Sequence, residues 1–313
     1  MPVVTQSPFG TLAVIANPHA GAGRVGRELS ALERGLVQSG LDFSLQVTSG
    51  PGDATRLAAA AMDEGFRFLV AVGGDGTVQE VVNGMFRDGR TIMDEPVLGV
   101  VPAHSGCDLV KSFGLPGDVD AACGHLLGDN TYPFDVVKVT STGRRGERTT
   151  RYSVNLAEVG FGAAVMRRTV SFPAWMGRTR GFFAFWSTFA RTRPRELTIE
   201  ADRSRYEGRA FNVIVGNAQF GSGGLRLSPR SFPGDGVVDV LVFTGPRSDA
   251  YTLLPRMYRH GDHIPDPNIH EMRAKIRVSI DTKRPLPIVA DGEILGTTPA
   301  IFQVVPRSIL FKL

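Results

Sequence analysis

Along the first 130 residues the hydrophobic positions fall into short unbroken runs separated by segments that repeat every three to four residues. The apolar runs at 12–16, 68–72 and 97–101 have the character of strands buried on both faces, and 43–47 alternates as a further strand. Between them Leu29, Leu32, Leu36 and Val37 keep helical spacing, which predicts a helix over 25–39 ended by Gly40. A second helix is predicted over 53–64, opened by Asp53 and stopped by Gly65. Strands alternating with helices predict a parallel α/β sheet. The turns at Asn17, Thr48, Gly73 and Ser105 would then share the C-terminal edge of that sheet, where open α/β sheets bind ligands.

After Gly128, Asp129 and Asn130 the pattern changes. Strands are predicted over 134–140, 152–157, 197–200, 211–216, 237–243, 273–280 and 302–305, giving an antiparallel, sandwich-like second domain. The expected division is an α/β domain over 1–131 and a β-rich domain over 132–313. One segment breaks the β pattern. Over 165–190 the period is helical, with Phe182, Phe185, Trp186 and Phe189 at i, i+3, i+4 and i+7 among Arg167, Arg168, Arg178, Arg180, Arg191, Arg193 and Arg195. Aromatics at this spacing commonly face a core. The arginines add a membrane-surface alternative, since each basic side chain near an anionic bilayer contributes about 1 kcal/mol.

The most distinctive stretch is 69–83, LVAVGGDGTVQEVVN, where an apolar strand meets Gly73, Gly74, Asp75, Gly76 and Thr77. The glycines let the backbone turn with no Cβ near a ligand. Thr77 and Glu80 are spaced as a capping box, which predicts a helix N-terminus immediately after the turn. Its N–H groups and positive dipole end suit a phosphate. Such turns also occur without any ligand, and the order here is neither the Walker nor the Rossmann pattern.

Composition sharpens this picture. A chain of 313 residues, 42% hydrophobic, can bury one large core or two ordinary ones. Residues 1–131 carry 8 Lys+Arg against 15 Asp+Glu, net −7, whereas 132–313 carry 27 against 16, net +11. A basic half beside an acidic half suits an anionic partner, and equally a solvated arginine-rich face. Cys107 and Cys123 form no disulfide framework, no run of 18 apolar residues exists, and MPVVTQSPFG lacks the features of a leader, so the cytosol is the expected compartment. The histidines show no metal-ligand spacing. No Gly-x-Ser-x-Gly elbow appears, and Cys107 has no base partner in sequence, so acyl-transfer chemistry is unsupported.

Two acidic turns remain. Asp235, in the run from Ser231 to Asp239, can offer a carboxylate beside main-chain carbonyls, an oxygen set that magnesium accepts; a tight Asp-Gly turn explains it as well. Asp291 ends the apolar run 286–290 and can serve as a base on a rigid strand end, or simply as a hairpin turn.

Taken together, Asn17-Pro18, the Gly73 to Thr77 motif, Pro102 with Asp108, the glycine run 221–224, Asp235-Gly236 and Asp291-Gly292-Glu293 resemble the diacylglycerol kinase catalytic-domain family, particularly its bacterial lipid kinases. The match runs in order over essentially the whole chain. The Gly-Gly-Asp-Gly-Thr motif alone is shared with NAD kinases, while Asp-Gly-Glu and the glycine run point to the lipid branch. The resemblance implies an α/β nucleotide domain, a β-rich second domain, an active site in the cleft between them, and transfer of the γ-phosphoryl group of ATP to a lipid hydroxyl, of diacylglycerol or a related lipid.

Residue by residue, it implies nucleotide contact at Asn17, Thr48, Gly73, Gly74, Asp75, Gly76, Thr77, Val78, Gln79 and Ser105. It implies magnesium (Mg2+) at Asp235 with the carbonyls of Phe232 and Val237, and general-base action by Asp291. The implied substrate is a lipid; the basic second half adds the expectation of an anionic membrane surface, touched peripherally, rather than nucleic acid, with room left for a homodimer. The departure lies at His104, Ser105, Gly106 and Cys107, where the family commonly has Gly-Thr-Gly/Ala-Asn. Ser105 keeps a hydroxyl, but Cys107 lacks the amide's hydrogen-bond pattern. An NAD kinase-like enzyme and a non-catalytic nucleotide- or lipid-binding protein of the same fold are the alternatives.

Overall fold

The computed structural model describes residues 7–102, 107–116, 119–143, 145–177 and 179–313. It divides into two compact units, Met1–Val136 with Pro306–Leu313, and Val137–Val305.

In the first unit the chain runs β1 (Leu12–Ala16), α1 (Ala20–Gln38), β2 (Phe43–Val47), α2 (Asp53–Asp63), β3 (Phe68–Gly73), α3 (Asp75–Gly84), a two-residue ladder of β4 (Phe86–Arg87) and β5 (Arg90–Thr91), β6 (Val97–Pro102), a 3-10 turn at Leu109–Phe113, and α4 (Val119–Gly124). The strands pair in parallel in the order β2-β1-β3-β6, and Leu310 and Phe311 add a parallel edge beside Val97 and Leu98. Each residue of β1, β3 and β6 is buried, which is why these strands read as unbroken apolar runs. Leu32 and Leu36 of α1 pack on the same core as Leu12, Val14, Val70 and Val101.

Local chemistry shifts some predicted boundaries. α1 starts five residues early, through Gly21, Ala22 and Gly23 in left-handed conformation. The capping box does not form, because α3 begins at Asp75 with Gly74 as N-cap and no side-chain cap. Glu80 turns away and accepts the N–H groups of Gly52 (2.9 Å) and Ala54 (3.1 Å) at the start of α2.

The second unit holds β7 (Thr131–Thr142, from residue 137), β8 (Arg148–Ser153), β9 (Leu156–Gly160), α5 (Phe161–Ser171), α6 (Thr179–Arg191), β10 (Arg195–Ala201), β11 (Ser204–Ala210), β12 (Asn212–Gly216), β13 (Phe220–Gly221), β14 (Leu225–Arg226), β15 (Val238–Phe243), α7 (Asp249–Arg259), β16 (Ile269–Ala274), β17 (Arg277–Thr282), β18 (Pro287–Ala290) and β19 (Glu293–Lys312, to residue 305). The strands are antiparallel, in the order β16-β15-β12-β9-β18-β19, with β19 also pairing β17, which pairs β10 and then β11. Alternate residues such as Ala157, Val159, Val213, Val240 and Ile288 face Leu197, Ile199, Ile280 and Phe302 in one core. This is the predicted arrangement of an α/β domain followed by a β-rich, sandwich-like one.

Three predicted segments are interrupted. Residues 152–157 split into β8 and β9, because the amides of Val154 and Asn155 turn to a side chain described below. The run 273–280 splits at Lys275 and Ile276, whose N–H groups bond the Asp202 carboxylate together with that of Arg277. The helical segment 165–190 becomes α5 and α6, with Pro173 in the break.

The aromatic stripe of α6 serves two faces. Phe185 and Phe189 turn inward, with ring centroids 5.3 and 6.1 Å from Phe161. Phe182 is 62% exposed, Phe183 50% and Trp186 39%, and the patch continues to Tyr251 of α7 at 6.0 Å from Trp186.

Candidate active site

In the first unit the ends of β1, β2 and β3 lie at one edge of a parallel sheet, so Asn17, Thr48 and Gly73 share that edge. The backbone N–H groups of Asn17 and Thr48 donate to Val72 and Ala16 (3.0 and 2.9 Å), which fixes both residues to the strand ends. Asn17 Nδ2 donates to Thr77 Oγ1 (3.1 Å), and its Oδ1 accepts the His19 N–H (3.0 Å). Asn17 thus ties the first strand-end turn to the first turn of α3. Val78 and Gln79 are buried within α3, and the Val78 N–H donates to the Gly74 carbonyl (3.1 Å).

The Asp75 side chain is turned to the protein. Its carboxylate accepts the N–H groups of Asp108 (2.9 Å) and Leu109 (3.1 Å), with Cys107 Sγ at 3.6 Å. Burial pushes Asp75 up to about 6 against these hydrogen bonds, and Asp108 adds to the rise. Burial and then the Asp75 charge push the Cys107 thiol well above its usual range. Cys107 is therefore a protonated weak donor that fastens the 107–109 turn to Asp75. Asp108 in turn pairs with Lys111 Nζ at 2.5 Å. Ser105, with His104, lies outside the described residues.

In the second unit Asp291 and Gly292, at φ 48° and 83°, form a two-residue turn between β18 and β19. Two successive left-handed residues are the requirement of a type I′ hairpin, and Asp-Gly meets it. Most hairpin aspartates face solvent, whereas Asp291 is buried. Its Oδ1 accepts from Ser153 Oγ (3.0 Å), Asn155 N–H (3.0 Å) and Leu156 N–H (3.1 Å), and its Oδ2 from Val154 N–H (2.7 Å). The break between β8 and β9 supplies these amides, so strand interruption and carboxylate placement are one feature.

Asp235 occupies a turn with Gly234 at φ 133° and Gly236 at φ 73°. Its Oδ1 accepts the Val237 N–H (2.9 Å), and its own N–H lies 3.4 Å from the Phe232 carbonyl. Arg273 stands 3.7 Å from Asp235 Oδ2 and 2.7 Å from Asp239 Oδ1. Among the described residues no cluster of three or more His, Cys, Asp or Glu side chains could hold a metal.

Sequence reasoning passed over Glu158. It is buried in the middle of β9, bonded to Asn212 Nδ2 and Ser222 Oγ (3.0 Å each), and burial raises its carboxyl above the usual range. The available signal was a glutamate inside the apolar run Leu156 to Gly160.

Residues 11–139 match the diacylglycerol kinase catalytic domain, and residues 155–311 match the YegS C-terminal NAD kinase beta sandwich-like domain. The chain belongs to this family and is a lipid kinase of that two-domain type. It is similar to the diacylglycerol kinase of Bacillus subtilis (strain 168), 27% identical over 95% of this chain and 94% of the relative. That of Staphylococcus haemolyticus (strain JCSC1435) is 28% identical over 95% of this chain and 86% of the relative. A solved structure of a diacylglycerol kinase from Bacillus anthracis str. Sterne, 20% identical, shares the fold with a TM-score of 0.70, covering 98% of this chain and 97% of its own. Another structure from the same organism superposes at 0.77, with 22% identity and 98% of each chain covered.

Proposed function

We propose that the chain transfers the γ-phosphoryl group of ATP to the free hydroxyl of diacylglycerol or a closely related lipid. The observation that carries the reading is the Asp291 carboxylate, buried on a rigid hairpin turn and fixed by the amides of 154–156 and the Ser153 hydroxyl. A carboxylate so fixed can accept or orient the proton of an attacking hydroxyl without reorganising. The first unit would take the nucleotide at its strand-end turns, through Asn17, Thr48, Gly73, Gly74, Asp75, Gly76, Thr77, Val78, Gln79 and Ser105, with the α3 N-terminus favouring phosphate charge. Phosphoryl transfer asks the protein mainly for positioning and charge stabilisation, which the strand-end turns and the fixed Asp291 carboxylate would supply.

Magnesium belongs to the same proposal. One carboxylate and two main-chain carbonyls, from Asp235, Phe232 and Val237, leave positions for water, the mostly hydrated state that this ion favours. The ion would compete with Arg273 for Asp235. When bound it would supply a fixed positive charge on that turn.

The acceptor side would meet a bilayer. Among the described residues no helix is long and apolar enough to cross a membrane. The exposed rings of Phe182, Phe183, Trp186 and Tyr251, beside Arg180 and Arg191, form a patch suited to lying in an anionic interface.

The test is incubation with γ-labelled ATP, magnesium and dioleoylglycerol in mixed micelles, beside a total lipid extract and, separately, NAD. Labelled phosphatidic acid is the expected product. Label in NAD alone, or no lipid product from the extract, overturns the reading.

A further inference from the structure

Glu158 sits where the sheet calls for an apolar side chain. Its cross-strand neighbours are Ile214 on β12 and Val289 on β18, and Ala157 and Val159 beside it enter the core. Burying a carboxylate is costly unless it is paired or fully hydrogen-bonded. Among the described residues no Lys, Arg or His lies within ion-pair distance of it. Its partners are neutral donors, Asn212 Nδ2 on Oε2 and Ser222 Oγ on Oε1, both at 3.0 Å.

The surroundings are built to keep it. Asn212 is oriented by accepting the Gly162 N–H on Oδ1 at 3.1 Å. A Cβ at Gly162 would lie 1.8 Å from Glu158 Oε2, so the first turn of α5 needs glycine for the carboxylate to fit. Ser222 holds a left-handed φ of 52° at the tip of the β13–β14 hairpin, a conformation uncommon outside glycine that its bond to Glu158 helps to fix.

That hairpin rests on the segment that holds Asp291. Asn155 Nδ2 donates to the Phe220 carbonyl (2.6 Å), and Gly221 lies so close to Leu156 that a Cβ there would meet its side chain at 2.9 Å. The N–H groups of these same residues, Asn155 and Leu156, bond Asp291 Oδ1. Glu158 and Asn155 are thus two anchors of one hairpin, and the second anchor is also part of the Asp291 cradle.

We infer that Glu158 is a positioning residue: through Ser222 it pins the hairpin onto β9 and thereby fixes the 154–156 amides that aim Asp291. This rests on the reading of Asp291 as the base. Glu158 touches no reacting atom, and its contribution is transmitted through the hairpin.

Three variants test it in the full chain. Ser222→Ala removes the pin and leaves the β9 core untouched. Glu158→Gln can still accept from Asn212 and donate to Ser222, whereas Glu158→Ala can do neither. Ser222→Ala and Glu158→Ala are expected to lower kcat for dioleoylglycerol about 10- to 100-fold, the scale of a small misplacement of a reacting group. The KM for ATP should stay unchanged, and Glu158→Gln should restore most of kcat.

Hydrogen exchange at Val154, Asn155 and Leu156 provides a readout independent of turnover and is expected to quicken in Ser222→Ala. In the Ser222→Ala, Asp291→Asn double variant the Ser222 effect should vanish, since the group it aims is gone. Unchanged exchange at 154–156, or a Ser222 effect that persists in the double variant, overturns the inference. If instead Asp291→Asn alone retains full activity, it is the base assignment that fails.

Discussion

A Cβ on Gly73 would stand 2.4 Å from Thr77 Oγ1, so the last residue of β3 and the third residue of α3 are in direct contact and only glycine fits between them. Thr77 Oγ1 also accepts from Asn17 Nδ2. The substitution Gly73→Ala therefore displaces Thr77 and breaks the link between two strand-end turns. Expected is a rise of about 10- to 100-fold in the KM for ATP, the cost of a misplaced binding turn, read by steady-state kinetics and by direct nucleotide titration. Unaltered titration would show that the Gly73 turn does not hold the nucleotide.

Asp75 gives a pH prediction. Burial lifts its folded-state pKa to about 6, from the 3.8 of an ordinary aspartate in the unfolded chain. Between these values the folded chain holds a proton that the unfolded chain has released. Stability is therefore lost as pH rises from about 4 to 6, and the loss is complete above 6, on the order of 1–3 kcal/mol. Asp75→Asn can still accept from Asp108 and Leu109 but does not titrate. The stability of this variant relative to the unsubstituted chain should rise from pH 4 to pH 7.5 in urea unfolding. A difference that stays flat with pH would contradict the raised carboxyl.

Phe182 and Phe183 test the outer face of α6. Both are at least half exposed, so changing them to Ser should leave the melting temperature within a degree or two while weakening the proposed bilayer contact. Sedimentation with phosphatidylglycerol vesicles should show partitioning lowered about 10- to 100-fold, the scale of two half-buried aromatic side chains. Equal sedimentation of the double variant and the unsubstituted chain would contradict a bilayer contact through this face of α6.

The sequence was most legible where one physical cause acts alone. Strands buried on both faces, such as β1, β3 and β6, must be apolar throughout, and they were found with small errors. It was least legible where a distant side chain takes over the backbone. Nothing local to 152–157 shows that its amides turn to Asp291, and nothing near Lys275 and Ile276 shows that Asp202 caps them. Thr77 and Glu80 had capping-box spacing, but Glu80 finds the N–H groups of α2, which no window of nearby residues contains.

The site was legible in part. Asn17, Gly73 and Thr77 stand out in the sequence, and in the fold Thr77 meets both of the others. For Asp291 the sequence fits both a base and a hairpin turn, and the structure makes the two compatible, since the turn residue carries a buried, hydrogen-bonded carboxylate. Glu158 and its partners Asn212 and Ser222 lie 54 and 64 residues apart in sequence. Only the fold brings them together.

In the proposed reaction Asp291 handles the proton of the acceptor hydroxyl. Asn keeps the shape and one oxygen for the 154–156 amides but cannot take a proton. Single-turnover transfer from labelled ATP to dioleoylglycerol by Asp291→Asn, with ATP binding measured alongside, tests this most directly. A loss of about 100- to 10,000-fold in the transfer rate is expected, with nucleotide affinity retained. Transfer at the unsubstituted rate would contradict it.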